Sequence, residues 1–139
     1  MIKKIALTIF VCLITSSVFS QTWIYFGSSI DDLNKHYIRS ACVSNDGTIK
    51  VWEKIISKKL TYINNQKSKT IINGYKILLK EYDYYGRKMK IHSVLTYDIN
   101  GKLVDSFTLE NYSNSWQDVV PESIGEMMMN RAFELFKIK

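Results

Sequence analysis

Acid–base, nucleophilic and metal chemistry need particular side chains at particular spacings, and this sequence offers few of them. His36 and His92 stand alone, and no His-x-x-x-His pattern, Gly-rich phosphate loop or nucleophile elbow occurs. Glu81 and Asp83 form a carboxylate pair of the kind that can move protons. As neighbours on one strand they cannot by themselves face each other across a cleft, as glycoside hydrolysis requires. With Arg87 just beyond the Tyr85-Gly86 turn, a salt bridge is the role expected of them. Cys12 and Cys42 are the two thiols in 139 residues, too few for a disulfide scaffold, and no Cys/His cluster has metal-ligand spacing. The residues thus point to no catalytic site, metal or cofactor, and the work expected of the chain is contact rather than bond-making.

The chain must then be read for the elements that make a surface. Met1-Ile2-Lys3-Lys4 is a basic start, Ile5 to Leu13 is an apolar run, and Val18 and Ser20 suit cleavage before Gln21, which is the plan of a secretory signal peptide over residues 1–20. The run is too short for a permanent membrane anchor, which takes about 20 residues. Ile9-Phe10-Val11 ahead of Cys12 lack the small residues of a lipoprotein signal. The exported chain, 21–139, is expected to be one domain of 119 residues. Loss of Lys3 and Lys4 leaves 17 basic against 13 acidic side chains, a net charge of +4. Its one thiol, Cys42, sits between Ala41 and Val43 and reads as a small buried hydrophobe.

With 46% hydrophobic residues and a single Pro, the chain can bury a core. Thr22 to Phe26 is aromatic and β-branched, and His36 to Val43 is a second strand that Ser44-Asn45-Asp46-Gly47 turns into a third, Thr48 to about Lys58. Leu60 to Thr70, rich in Lys and Asn, reads as a mobile loop. Strands then follow over about Ile72 to Tyr84, Arg87 to Tyr97 and Lys102 to Leu109, joined at Tyr85-Gly86 and at Asp98-Ile99-Asn100-Gly101. Beyond a polar loop holding Trp116, Ser123 and Glu126 fit a capping box, and Ile124, Met128, Ala132, Leu135 and Phe136 recur at helical spacing. The expected class is α+β, an antiparallel meander of about six strands with one C-terminal helix on one face.

Side chains alternate across a strand, so parity divides the faces. One parity gathers Ile49, Val51 and Ile55, then Tyr75, Ile77 and Leu79, then Met89, Ile91 and Leu95, and reads as core. The other gathers Lys50, Trp52 and Lys54, then Lys76, Lys80 and Tyr82, then Lys88 and Lys90. These eight are the candidate binding residues, a basic face whose Trp52 and Tyr82 add apolar contact for an anionic partner. Lysines on exposed strands also serve solubility and discourage edge pairing.

The order of landmarks resembles the surface-adhesin protein E family of bacterial envelope proteins. The matching stretches are Trp23-Ile24-Tyr25 with Gly27-Ser28-Ser29, Tyr37-Ile38 before Asn45-Asp46-Gly47, Ile49-Lys50-Val51-Trp52, Glu81-Tyr82-Asp83, Arg87-Lys88-Met89-Lys90, and Trp116 leading to Pro121-Glu122-Ser123-Ile124-Gly125-Glu126. The resemblance implies a six-stranded sheet with the helix on its concave face. It also implies an exported binding module of a Gram-negative-type envelope, periplasmic or surface-displayed. Its partners would be host-matrix or envelope proteins, since named members bind vitronectin, laminin and plasminogen, and haemin has been proposed as a ligand. Nucleic acid is not expected of an exported protein. The other role open to such a domain is that of a periplasmic accessory piece, a homodimer through an uncovered sheet face. Relatives usually carry a cysteine after Glu-Tyr-Asp bonded to one near the helix end; here that position is Tyr84 and the helix has none. The resemblance further implies that the parity of Leu78, Tyr82 and Tyr84 lies under the helix, opposite to the assignment from alternation, and a bulge near Asp83 would reconcile the two.

Overall fold

The computed structural model describes residues 22–43, 47–109 and 116–136, apart from the side chains of 40–43. The leader, Cys12, the Cys42 thiol and the Asn45-Asp46 turn lie outside the described residues. The strands are β1 (Ile24–Ser28), β2 (Asn34–Val43), β3 (Thr48–Ser57), β4 (Lys59–Asn64), β5 (Lys67–Ile72), β6 (Tyr75–Asp83), β7 (Lys88–Tyr97), β8 (Leu103–Thr108) and β9 (Gln117–Asp118), followed by the helix α1 (Ile124–Phe136). Six of them form an antiparallel sheet in the order β1-β2-β3-β6-β7-β8, and the short β9 extends it to seven by pairing with β7. The α+β plan, with one C-terminal helix among the described residues, is the one the pattern predicts.

One expectation is overturned. Leu60 to Thr70 is not a loop but the ribbon β4–β5, in register from Lys59↔Ile72 to Asn64↔Lys67. Asn65 and Gln66 both take positive φ, 49° and 62°, the backbone of a two-residue turn whose twist matches its strands. The lysines hide an alternation in which Leu60 is buried while Thr61 and Ile63 are exposed. The ribbon continues the β3–β6 hairpin past a break, where the Asn73 amide donates to the Lys58 carbonyl and the Ser57 amide to the Gly74 carbonyl. Gly74 fits there because a β-carbon would strike the Tyr97 carbonyl at 2.7 Å.

Register decides the faces, and it corrects the parity reading. Val51 pairs with Lys80 and Ile49 with Tyr82, so odd residues of β3 share a face with even residues of β6. That face carries the core of Ile38, Ile49, Val51 and Tyr82 under Met128, Met129 and Ala132 of α1, with Val119 closing one side. Each large aliphatic buried there contributes about 1.5–3 kcal/mol. Tyr75, Ile77 and Leu79 fall on the other face with Trp52 and Lys54. A bulge reconciles the strands, but at the β6–β7 register between Leu79 and Lys80, and not at Asp83. It returns Met89 and Ile91 to the helix face and leaves Leu95 on the open one.

The helix starts as its cap predicts, with the Glu126 amide donating to the Ser123 hydroxyl at 3.2 Å. The Glu126 carboxylate reaches one residue further back than a capping box requires, accepting from the Glu122 amide at 2.7 Å, and it also pairs with Arg87. Arg87 is thereby engaged away from Glu81 and Asp83. Glu81 instead meets His92 at 2.7 Å, and Asp83 accepts from the Gly86 amide at 2.9 Å. Near the end of the helix Phe133 packs on Tyr84, ring centroids 4.8 Å apart.

Candidate binding face

The face turned away from α1 is built from the middle of the sheet outward. β3 contributes Lys50, Trp52 and Lys54; β2 sets Tyr37 against Lys54 and Arg39 against Trp52; β7 adds Lys88 and Lys90 opposite Asp83 and Glu81. Between them Ile77, Leu79 and Leu95 stay partly exposed. The cations are laid on rings. The Arg39 guanidinium lies 4.7 Å from the centre of the Trp23 ring, Lys54 Nζ lies 4.6 Å from Tyr75 and 5.9 Å from Trp23, and Lys90 Nζ lies 4.5 Å from Trp116. Tyr75 in turn stacks on Tyr97 at 4.8 Å.

Each contact of this kind is worth about 0.5–1 kcal/mol on an exposed surface. Their larger effect is to fix long side chains that would otherwise lose rotamer freedom on meeting a partner. Arg39, Lys50, Lys54 and Lys90 make no ion pair among the described residues. The carboxylates of the face are engaged: Glu81 with His92, Asp118 with Lys88 at 3.9 Å, and Asp83 with its turn. The positive charge is therefore free to act outward.

Five of the eight sequence-predicted residues come together here: Lys50, Trp52, Lys54, Lys88 and Lys90. The other three, Lys76, Lys80 and Tyr82, lie on the helix side and do not belong to this surface. Tyr82 is fully buried, and Lys80 pairs with Oε2 of Glu53, whose Oε1 lies 3.0 Å from His36 Nδ1. Burial opposes ionisation of Glu53, yet the His36 hydrogen bond and the Lys80 ammonium hold its carboxyl below the ordinary value. Burial, with the Glu53 charge second, pushes the Tyr82 phenol far above its usual range, and its hydroxyl has no partner among the described residues. Sequence reasoning missed Trp23, Arg39 and Trp116 as members of the open face and took Tyr75 for core. The alternation of Tyr37 and Arg39 around buried Ile38 is the signal that finds Arg39.

A concavity of about 260 Å³ lies between the β6–β7 turn and α1, lined by Tyr84, Tyr85, Asn130, Phe133 and Glu134. No set of His, Cys, Asp and Glu among the described residues is grouped to hold a metal ion, and no helix among them is long and apolar enough to cross a membrane. Compared with known proteins, the chain matches no family model, no curated sequence and no solved structure.

Proposed function

We propose that the chain is an exported, non-enzymatic binding module of the cell envelope, resembling surface-adhesin protein E, that grips an acidic protein surface with its open sheet face. The observation that carries this reading is the set of cations held on aromatic rings, with no ion pair among the described residues: Arg39 and Lys54 about Trp23 and Tyr75, and Lys90 on Trp116. Charge steers an acidic partner, and the rings and half-exposed aliphatics supply the apolar contact that charge alone lacks.

The test is surface plasmon resonance of the purified protein on immobilised vitronectin, laminin and plasminogen, with haemin titrated in solution. Binding to at least one, lost in the Arg39→Ala/Lys54→Ala pair and kept in Lys76→Ala, supports the reading; no binding to any of them ends it. Ile77, Leu79 and Leu95 in the middle of the face favour a second reading, dimerisation through that face. Sedimentation equilibrium separates the two, because a monomer at working concentration excludes the dimer.

A further inference from the structure

The antiparallel order brings three connections to one end of the sheet: residues 29–33 between β1 and β2, residues 58–74 including the β4–β5 ribbon, and residues 98–102 between β7 and β8. Each displays an aliphatic side chain to solvent. Ile30 is fully exposed, Ile63 beside the ribbon turn is 69% exposed, and Ile99 is 64% exposed, with Leu33, Ile72 and Leu103 exposed nearby. The ribbon strand β4 touches β8 on one side, and on the other the Lys58 amide donates to the Leu33 carbonyl at 3.0 Å.

The same end is basic. The connection 58–74 holds four lysines, Lys58, Lys59, Lys67 and Lys69, and no Asp or Glu. Lys102 adds a further charge from the β7–β8 turn. The nearby carboxylates are largely spent on holding turns. Asp31 accepts from the Ser29 hydroxyl and the Leu33 amide, displaying Ile30 between them. Asp98 accepts from the Asn100 and Lys102 amides, both at 2.9 Å, displaying Ile99 in the same way. Asp32 is the remaining acid of these connections.

Lysines and short polar residues alternate with these aliphatic side chains along each connection, a mixture richer in charge than the apolar centre of a protein interface. A soluble polyanion would engage the lysines and leave the isoleucines in water. A bilayer with anionic headgroups uses both, because its interfacial layer accepts isolated aliphatic groups of any arrangement while its surface potential draws in lysines. We infer that this end of the sheet is a docking surface for an anionic lipid bilayer, with Ile30, Ile63 and Ile99 entering the interfacial layer and the ribbon lysines lying over the headgroups.

The test is flotation with vesicles of phosphatidylglycerol and phosphatidylcholine, with pure phosphatidylcholine vesicles and soluble polyphosphate as the other arms. The form recovered from cells producing the full chain is used throughout, so any leader is carried or lost equally in every variant. The wild type should float with the anionic vesicles and bind neutral ones at least about tenfold more weakly. The Ile30→Ser/Ile63→Ser/Ile99→Ser variant keeps every charge and should lose about tenfold or more in partitioning. Its far-ultraviolet circular dichroism should be unchanged, because all three positions are exposed. Lys67→Gln/Lys69→Gln should weaken binding at low salt and matter little at high salt. Absence of wild-type flotation, flotation indifferent to the serine substitutions, polyphosphate binding that competes fully with vesicles, or a dimer that the serine substitutions dissociate would each overturn the proposal. The Arg39→Ala/Lys54→Ala pair should float normally, so failure of the open-face reading and failure of this one are told apart.

Discussion

On the helix side of the sheet Lys80 meets the carboxylate of Glu53, a side chain only 2% exposed; on the open side Lys54 meets the rings of Tyr75 and Trp23. Both are lysines on central strands of the sheet. Burial separates their roles. A lysine taken out of water needs a counter-charge, and a buried carboxylate needs two donors, so His36, Glu53 and Lys80 form one unit that ties β2, β3 and β6 together. A lysine left half in water can rest its stem on a ring and keep its ammonium solvated. The difference shows that a basic residue in a strand says little about binding until the face it occupies is known.

The comparison is broken most forcefully at Glu53. Glu53→Ala leaves the Lys80 ammonium without its counter-charge and His36 without its hydrogen-bond partner, and should cost about 3–5 kcal/mol in urea unfolding. The same group sets an acid limit. Its carboxyl lies below the ordinary 4.5 in the fold, so its contribution is complete above that value and is lost as the pH falls through the folded value. Stability measured against pH should therefore drop on the acid side in the wild type, with a flatter slope in Glu53→Gln.

Phe133→Ala removes the ring that rests on Tyr84 and should cost about 2–3 kcal/mol, at the low end for an aromatic because Phe133 is only partly buried. Tyr82→Phe sharpens the contrast from the other direction. It deletes a buried hydroxyl without a partner and should raise stability by about 1 kcal/mol, whereas a loss of that size would mean the hydroxyl is bonded in solution. The smallest effect belongs to the open face. Lys54→Ala removes ring contacts on an exposed surface and should lower the unfolding free energy by only about 0.5–1 kcal/mol in urea titration.

Local features were legible in the sequence because local residues determine them. Ser123 caps the helix three residues before Glu126, and the Tyr85-Gly86 and Asn100-Gly101 turns join the strands that flank them. Face assignment was not legible in the same way. β6 carries apolar residues at both parities, Ile77 and Leu79 on one and Leu78 and Tyr82 on the other. Which set joins Val51 depends on how the chain between β3 and β6 breaks at Lys58 and Asn73, and neither strand's own alternation contains that information. The bulge beside His92 shifts the parity of β7 once more. The candidate site inherits both effects, which is why parity grouped Lys76, Lys80 and Tyr82 of the helix side with Lys50, Trp52, Lys54, Lys88 and Lys90 of the open side. The ribbon β4–β5 escaped notice because its lysines and asparagines outweigh a short alternation of Leu60 with Thr61 and Ile63.

The resting of Phe133 on Tyr84 has a consequence for how the protein reaches its working form. The helix docks through side-chain packing and the Arg87–Glu126 ion pair, with no sulfur linkage among the residues that seat it. Reductants should leave its attachment untouched. Its helix can lift and settle again at the rate that contact chemistry allows, a reversibility that a covalent clasp would have removed.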